Sequence, residues 1–185
     1  MIGVTYRQLK LEESERIYEI NASQFIGRAW REVNGERKLV EINYQDPDWP
    51  NGYIYHLNRL KETILGNGCA IGAFDEKQNL IGFVTVNRDF FGEMYKYVLL
   101  DQLFITLDYR NRGIGKKLFF LSADVAKQWE ADKIYICAGS AEETIAFYFA
   151  VGCVEAAEIN RQLYESDPRD FQLEFNLHNE SKGVQ

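Results

Sequence analysis

Apolar residues recur along the chain with two kinds of spacing, one typical of helices and one typical of strands. Intervals of three and four residues predict amphipathic helices over residues 12–28, 53–65, 114–129 and 142–151. Short apolar or alternating runs predict strands over residues 4–9, 69–74, 80–87, 95–105, 133–138, 155–159 and 171–177. Residues 33–52 contain two prolines and the least regular pattern, so we predict a loop there.

The order of these elements predicts a mixed α/β fold with one central sheet. Three strands follow each other closely between residues 69 and 105, which predicts an antiparallel N-terminal half of the sheet. The strand, helix and strand between residues 98 and 138 predict a right-handed crossover onto a parallel neighbour. With 185 residues and no internal linker, we expect a single domain over residues 1–178 and a C-terminal tail over residues 179–185.

Composition and charge narrow the classes of function. With 28 acidic and 21 basic side chains the formal net charge is -7, the wrong sign for a protein held to nucleic-acid phosphates. No apolar run approaches the length of a membrane span, so we expect a cytoplasmic protein without a membrane partner. Three scattered cysteines and two histidines predict neither a disulfide framework nor a metal site. These features leave open whether the protein forms a homodimer.

A basic, glycine-containing turn precedes the helix predicted over residues 114–129. Four of the eight residues at 110–117 are cationic, glycines permit a close approach to the main chain, and a helix start offers unpaired N–H groups. A phosphate-bearing ligand is therefore expected at Arg110, Asn111, Arg112, Gly113, Ile114, Gly115 and Lys116. Two other glycine motifs do not fit. The Walker pattern needs glycine where Arg110 stands, and the dinucleotide fingerprint needs one where Leu118 stands.

This turn resembles the acetyl-CoA site of the GNAT N-acetyltransferase family, whose pattern is Gln/Arg-x-x-Gly-x-Gly/Ala between a strand and a helix. Residues 103–110 resemble the strand and short acidic joint that lead into the family's turn. Residues 144–148, Thr-Ile-Ala-Phe-Tyr, followed by Val-Gly-Cys at 151–153, resemble its second signature. Together the two signatures cover residues 99–155 in the family's order and spacing.

The resemblance implies transfer of an acetyl group from acetyl-CoA to a primary amine of a small molecule or peptide, by direct attack in a ternary complex. It also implies a V-shaped cleft where the strand containing Leu103, Phe104 and Ile105 splays from its parallel neighbour. The main chain of these residues would bind the pantetheine arm, and one N–H would polarise the thioester carbonyl. Tyr148 is similar to the family's general acid, which contacts the cofactor and protonates the departing thiolate. The alternative for Tyr148 is a place in the aromatic core of a short helix.

Two departures from the family's pattern leave alternatives open. Ala141 stands where asparagine is frequent, so Ser140 or the main chain is expected to supply that cofactor contact. Leu99 stands where many members have a glutamate base, so Asp101 or Glu93 could deprotonate an ammonium through water, with Asp101 preferred as the candidate base. The alternatives are a structural or surface role for each carboxylate, and an amine that arrives deprotonated and needs no base from the protein. A catalytically weak coenzyme A-binding sensor or regulatory module is therefore the alternative to an enzyme.

The predicted loop before residue 53 offers candidate contacts for the acceptor. It combines carboxylates with aromatic faces, a mixture that favours a cationic amine through charge pairing and cation–π contact. The candidate acceptor-binding residues are Tyr44, Asp46, Trp49 and Tyr53. The alternative is a solvated acidic loop at the surface.

Overall fold

The computed structural model describes residues 3–178, so the predicted tail over residues 179–185 lies outside the described residues. The strands are β1 (Thr5–Gln8), β2 (Gln24–Val33), β3 (Glu36–Asp46), β4 (Cys69–Phe74), β5 (Leu80–Val86), β6 (Tyr97–Ile105), β7 (Lys133–Ala138), β8 (Val154–Glu155) and β9 (Phe171–Asn176). The helices are α1 (Tyr53–Leu65), α2 (Ile114–Gln128), α3 (Glu142–Val151) and α4 (Arg161–Ser166), with 3-10 helices over Leu11–Glu19 and Leu107–Tyr109.

Within residues 3–178, seven strands form one mixed sheet in the order β1-β4-β5-β6-β7-β9-β8. β6 and β7 pair in parallel and are joined by α2, whereas the other neighbouring strands pair antiparallel. This sheet confirms the predicted α/β class, with an antiparallel N-terminal half and a parallel strand–helix–strand crossover. β2 and β3 form a separate two-stranded sheet.

Apolar side chains pack on both faces of the large sheet. On one face, α2 and α3 cover a larger core in which Leu118, Phe119 and Ile145 are buried. On the other face, α1 and the first 3-10 helix cover a second core around Ile17 and Leu60. Covering both faces fixes β6 and β7 at the centre of the fold, as is usual for a parallel strand pair.

The predicted helix over residues 12–28 and the predicted loop over residues 33–52 are wrong. The chain instead forms the first 3-10 helix and then the long β2–β3 hairpin. The hairpin turn is Asn34-Gly35, with φ angles of 53° and 78° that suit a two-residue turn between antiparallel strands. Most side chains of the hairpin are exposed or half-buried, so no apolar alternation marks its strands in the sequence.

The predicted strand over residues 155–159 is also largely wrong, and β6 begins at Tyr97 rather than at residue 95. β8 contains only two residues, and the chain after it makes side-chain contacts instead of strand pairs. Glu158 accepts main-chain hydrogen bonds from Glu93 and Met94, which precede β6. Asn160 then caps α4, an element that the apolar pattern did not predict.

Candidate active site

A cleft opens where β6 and β7 separate. The two strands pair from Tyr97 opposite Lys133 to Leu100 opposite Ile136, and their pairing ends there. At the same level the register between β5 and β6 shifts, the signature of a bulge that redirects a strand. Beyond it, among the described residues, 101–105 of β6 have no partner on the β7 side. The V-shaped cleft predicted from the resemblance is therefore present.

The last residues of β6 offer main chain rather than side chains to this cleft. Leu103 and Ile105 pack against the larger core, and Phe104 packs against the second core. Their side chains thus point to the two faces of the sheet, which leaves N–H and C=O groups along the strand edge. An extended ligand can pair with such an edge as an added strand would.

The turn before α2 leaves the first N–H groups of the helix without a side-chain cap. Gly113 is the N-cap residue of α2, with a left-handed φ of 80°. The first turn of α2, all of which the structure describes, contains no acidic side chain. A Cβ at Gly113 would meet no atom within 4 Å, so the positive φ rather than crowding calls for glycine. The Ile114 side chain is only 4% exposed, which leaves its N–H as the group that can face a ligand. The turn therefore presents a positive helix end.

Asn111 and Gly115 shape the same turn. Asn111 has a left-handed φ of 60°, a conformation that asparagine tolerates better than most residues. A Cβ at Gly115 would lie 3.5 Å from Phe147 and 3.6 Å from Ile105, which are ordinary contact distances. Packing inside the protein does not require glycine there. Its missing side chain leaves room for a ligand where β6, α2 and α3 meet.

The cations of the turn have different positions. Lys116 is exposed, and the Arg112 guanidinium lies 5.2 Å from the ring centre of Tyr109. Arg110 turns inward, because its Nε donates to the Ile105 carbonyl at 2.9 Å, and burial lowers the pKa of its guanidinium. The prediction that the Arg110 side chain binds phosphate is therefore corrected: it ties the turn to β6. Arg112 and Lys116 are the cations that can reach a ligand.

Tyr148 lies on α3 inside an aromatic group of the larger core. Its ring centre lies 5.1 Å from that of Phe147 and 6.4 Å from that of Phe119. Among the described residues its hydroxyl has no hydrogen-bond partner. Burial, followed by the Cys153 and Cys137 thiols, raises the pKa of Tyr148, so the hydroxyl keeps its proton at neutral pH. The residue thus combines a place in the core with a hydroxyl that is free to donate.

Charged groups converge on Cys137, next to the last residue of β7. Burial raises the pKa of its thiol to about 12, and the charges of Asp170 and Asp101 act in the same direction, with Arg59 opposing them. The Sγ atom lies 3.6 Å from Oε1 of Gln172 on β9. Cys137 is therefore a neutral thiol rather than an activated nucleophile.

Asp101, the predicted base, is engaged in an ion pair. Its side chain is 4% exposed, and its two oxygens bind the Arg59 guanidinium, with Oδ2 at 2.9 Å from Nε. The hydrogen bond to Asp101 raises the pKa of Arg59, which also donates to the Tyr55 hydroxyl at 2.8 Å. The ion pair with Arg59 thus engages the Asp101 carboxylate, and the assignment of Asp101 as the base stays a prediction. Glu93 is exposed, in the turn before β6.

A polar cavity of about 190 Å³ adjoins this ion pair. It carries both cations and carboxylates and is lined by Arg59, Glu62, Thr63, Gly66, Asn87, Arg88, Asp89 and Asp101. Sequence reasoning missed Arg59 because the prediction of α1 rested on its apolar residues alone. The signal was a lone arginine on the polar side of that helix, which is common in any amphipathic helix.

Ser140 anchors the hairpin to the end of β7. Its hydroxyl accepts a hydrogen bond from the Arg31 guanidinium at 2.7 Å, and its carbonyl accepts the Trp30 N–H at 2.8 Å. The next residue, Ala141, forms an isolated bridge with Ala29. Through these contacts Ser140 holds the hairpin in place, and its O–H still has a proton to donate, so the predicted cofactor contact of Ser140 stays a prediction.

Two of the predicted acceptor contacts belong to the second core. Trp49 is 6% exposed, and its ring centre lies 4.7 Å from Phe104 and 5.2 Å from His56. The Tyr53 hydroxyl donates to the Glu15 carbonyl at 3.0 Å. Trp49 is therefore buried and Tyr53 half-buried, which argues against the alternative of a solvated surface loop, and their contact with an acceptor stays a prediction. Trp49 supports the wall of the cleft through its contact with Phe104.

The other two predicted acceptor contacts lie on the β2–β3 hairpin. Tyr44 is exposed, and Asp46, the last residue of β3, is half-buried. The hairpin reaches the end of β7 through Ser140 and the start of β9 through Trp30, whose ring centre lies 6.0 Å from that of Phe171. Tyr44 and Asp46 are thus carried by an element that borders the cleft.

The described residues contain no group of three or more His, Cys, Asp or Glu side chains arranged to hold a metal ion. None of the helices within residues 3–178 has the length and apolar character needed to cross a bilayer.

Comparison with models of protein families identifies the family to which the chain belongs. The model of the acetyltransferase (GNAT) family matches residues 15–153, about three quarters of the chain. The chain belongs to the GNAT acetyltransferase family. The match includes β6, the basic turn, α2 and Tyr148, and it confirms the predicted resemblance and the predicted enzyme class, an acetyltransferase.

Solved structures of low sequence identity share the fold of this GNAT acetyltransferase. Nourseothricin acetyltransferase has a TM-score of 0.67 at 16% identity, covering 92% of this chain and 95% of that one. PaiA N-acetyltransferase from Thermoplasma acidophilum, solved with coenzyme A, has a TM-score of 0.59 at 16% identity, covering 94% and 99%. A variant of the spermidine N-acetyltransferase SpeG from Vibrio cholerae has a TM-score of 0.56 at 16% identity, covering 94% of each chain. No curated protein sequence matches the chain.

Proposed function

We propose that this acetyltransferase moves an acetyl group from acetyl-CoA to a primary amine of a small molecule or peptide. The observation that carries the proposal is the cleft between β6 and β7, which ends beside the uncapped start of α2. One part offers an extended main-chain edge and the other a positive helix end. A ligand with a pantetheine arm and a pyrophosphate needs both. The neighbour solved with coenzyme A supports the same choice of ligand.

Each part of the cosubstrate has a matching group in the cleft. The edge of β6 over residues 103–105 would pair with the pantetheine arm, apart from the Ile105 carbonyl, which accepts a hydrogen bond from Arg110. The first N–H groups of α2, together with Arg112 and Lys116, would bind the pyrophosphate. The space beside Gly113 would let the phosphates reach the main chain, since no atom lies within 4 Å of a Cβ at that position.

The reaction is direct attack in a ternary complex. The amine lone pair attacks the thioester carbonyl carbon, and a main-chain N–H of β6 stabilises the oxyanion that develops. The C–S bond then breaks, and Tyr148 donates its proton to the departing thiolate. The hydroxyl carries the proton for this step at neutral pH, because burial raises the pKa of Tyr148.

A small cationic amine is the acceptor class that we favour. Two structural neighbours are named for nourseothricin and spermidine, which supports a small-molecule amine. In this chain the cavity beside Asp101 carries the carboxylates of Glu62 and Asp89, and the hairpin carries Asp46. Carboxylates close to the cleft attract an ammonium group.

A coenzyme A-binding sensor is the second candidate function. Two observations favour it: Ala141 and Leu99 replace residue types that are frequent in the family, and Arg59 holds the first candidate base, Asp101. Under this alternative the cleft binds acetyl-CoA while no amine is acetylated.

Calorimetry with acetyl-CoA, combined with a thiol-release assay over a panel of primary amines, separates the candidates. An enzyme binds acetyl-CoA and releases thiol only when an acceptor amine is present. A sensor binds acetyl-CoA and releases no thiol with any amine. Absence of acetyl-CoA binding contradicts both candidates.

A further inference from the structure

Asp170 is a half-buried carboxylate at the mouth of the cleft. It directly precedes β9, whose first residue, Phe171, pairs with Ala138, the last residue of β7. Asp170 therefore lies beyond the end of the strand that forms one wall of the cleft. Its N–H donates to the Asp167 carbonyl at 3.1 Å, which closes the turn that carries it.

Within residues 3–178, the Asp170 carboxylate contacts no cation and accepts no hydrogen bond. Other carboxylates on the neighbouring strands are paired. Asp101 binds Arg59, and Glu174 binds Lys133 at 2.6 Å. An ionised carboxylate that is half-buried without a partner is costly, and a cationic ligand or a proton relieves that cost.

Cys137 relates Asp170 to Tyr148. The charge of Asp170 acts on the Cys137 thiol, and that thiol in turn acts on the Tyr148 hydroxyl. Tyr148 belongs to the larger core on the α2 and α3 face of the sheet, whereas Asp170 lies in the turn before β9. An acid and a carboxylate therefore approach the end of β7 from two different elements.

Gln172 adds an unpartnered donor beside Asp170. It is 6% exposed and lies two residues further along, and residues two apart share one face of an extended strand. The Asn160 N–H donates to the Tyr135 hydroxyl, which donates to Gln172 Oε1 at 2.6 Å, so the amide orientation is set. Gln172 Nε2 is buried without a partner among the described residues. This donor is suited to an oxygen atom of a ligand, which gives the Asp170 site a second polar group.

We propose that Asp170 is the general base that takes a proton from the ammonium group of the acceptor. The inference rests on the proposed function. One ammonium proton passes to the Asp170 carboxylate, and the neutral amine attacks the thioester. After the C–S bond breaks, the thiolate takes the Tyr148 proton, and the acylated nitrogen gives its extra proton to the tyrosinate. Asp170 then releases its proton to water, so one proton leaves for each acetyl group transferred.

The charges around Asp170 suit this role. On its own turn, Asp167 raises the pKa of Asp170 and Arg169 lowers it. The Cys137 thiol, on β7, interacts with the charge of Asp170. Arg37 of the hairpin lies 3.9 Å from the ring centre of Phe171, the residue after Asp170. Burial, followed by Asp167, raises the pKa of Asp170 to about 6. Asp170 is therefore ionised at neutral pH and is a stronger base than an ordinary aspartate, as proton transfer requires.

The test compares Asp170→Asn with the wild type, using the amine of the panel that the wild type acetylates fastest. We expect kcat/KM of the variant to fall about 100-fold near neutral pH. The loss should shrink as the pH approaches the pKa of the free amine, because the amine then arrives without its proton. Acetyl-CoA affinity, measured by calorimetry, should stay unchanged. A variant profile that matches the wild type, or lies parallel to it at every pH, overturns the proposal.

Asp167→Asn is the matched control. Asparagine keeps an oxygen for the Arg169 N–H, which Asp167 Oδ1 accepts at 3.1 Å, and it removes the charge together with the ion pair to Arg169 Nε at 3.5 Å. We expect its maximal rate to equal that of the wild type and the acidic inflection to move to lower pH, because the Asp167 charge raises the pKa of Asp170. If the acidic inflection of Asp167→Asn does not move, the proposal is overturned. This result does not depend on whether Asp170→Asn folds. A wild type that acetylates no amine contradicts the proposed function instead.

Discussion

Burial of single groups sets the proton chemistry of the cleft. It favours the neutral form of each one, and it raises the pKa of Tyr148, of Cys137 and of Asp170. The consequences differ with the group. A buried phenol keeps the proton that a thiolate needs, a buried thiol loses its nucleophilic form, and a half-buried carboxylate becomes a stronger base.

Tyr148→Phe tests the proposed acid. Phenylalanine keeps the ring packing against Phe119 and Phe147 and removes only the hydroxyl, which has no partner among the described residues. We expect thiol release to fall about 100-fold, while acetyl-CoA affinity and thermal stability stay close to those of the wild type. Tyr18→Phe is the control, since Tyr18 is 71% exposed on the first 3-10 helix. Full activity in Tyr148→Phe would assign Tyr148 to the core alone.

Asp170→Asn should also change how stability depends on pH. Because the pKa of Asp170 is raised to about 6 in the folded chain, the folded state holds this proton more tightly than the unfolded state. The stability that this protonation provides is complete below the ordinary aspartate pKa and is lost as the pH rises through about 6. Asparagine mimics the protonated form, so the variant should match the wild type in acid. It should exceed the wild type at neutral pH.

The expected gain at neutral pH is about 1 kcal/mol, less than the full shift in pKa implies, because water screens this half-buried site. Urea unfolding at an acidic and a neutral pH measures it. Asp124→Asn, on the exposed surface of α2, should show no such pH-dependent gain. A wild type as stable as Asp170→Asn at neutral pH would mean that Asp170 carries no burial cost.

At the scale of elements, the β2–β3 hairpin and the turn before α2 each contain a glycine with a positive φ angle. Gly35 and Gly113 have φ angles of 78° and 80°, and a Cβ would meet no atom within 4 Å at either position. Alanine at either site should therefore lower the free energy of unfolding by about 1 kcal/mol through backbone strain alone. Only Gly113→Ala should also weaken acetyl-CoA binding, by about tenfold, which calorimetry on both variants measures. Equal affinity in the two variants would contradict the assignment of the turn.

Elements with a strong local pattern could be predicted from the sequence. α2 has apolar residues at helical intervals, and the basic turn before it combines positive charge with a place at a helix start. The crossover and the proposed phosphate end of the cleft could therefore be predicted from local chemistry. The β2–β3 hairpin could not be predicted in this way, because its side chains bury little. Its one clear signal was Asn34-Gly35, a dipeptide typical of hairpin turns.

The polar residues of the cleft depend on contacts between distant segments, and sequence spacing does not reveal them. Asp101 was found because it lies on β6, but its partner Arg59 comes from α1. Asp170 was missed because only the pairing of β9 with β7 brings it to the cleft. Trp49 was assigned to the surface, although it fills the space between α1 and Phe104.

At the scale of the whole molecule, charge is divided between two sides of one cleft. The chain carries a net charge of -7, yet the turn that leads into α2 presents Arg112 and Lys116 beside a positive helix end. The Asp170 carboxylate, which pairs with no cation within residues 3–178, directly precedes β9. This division suits an anionic cosubstrate on one side and a cationic amine on the other.

The most direct test of the account is mass spectrometry of a panel of primary amines incubated with the protein and acetyl-CoA. We expect at least one amine to gain a single acetyl group, with one equivalent of thiol released for each product molecule. Thiol release without an acetylated amine, or acetyl-CoA binding with no product from any amine, would contradict the claim that this cleft transfers acetyl groups to amines.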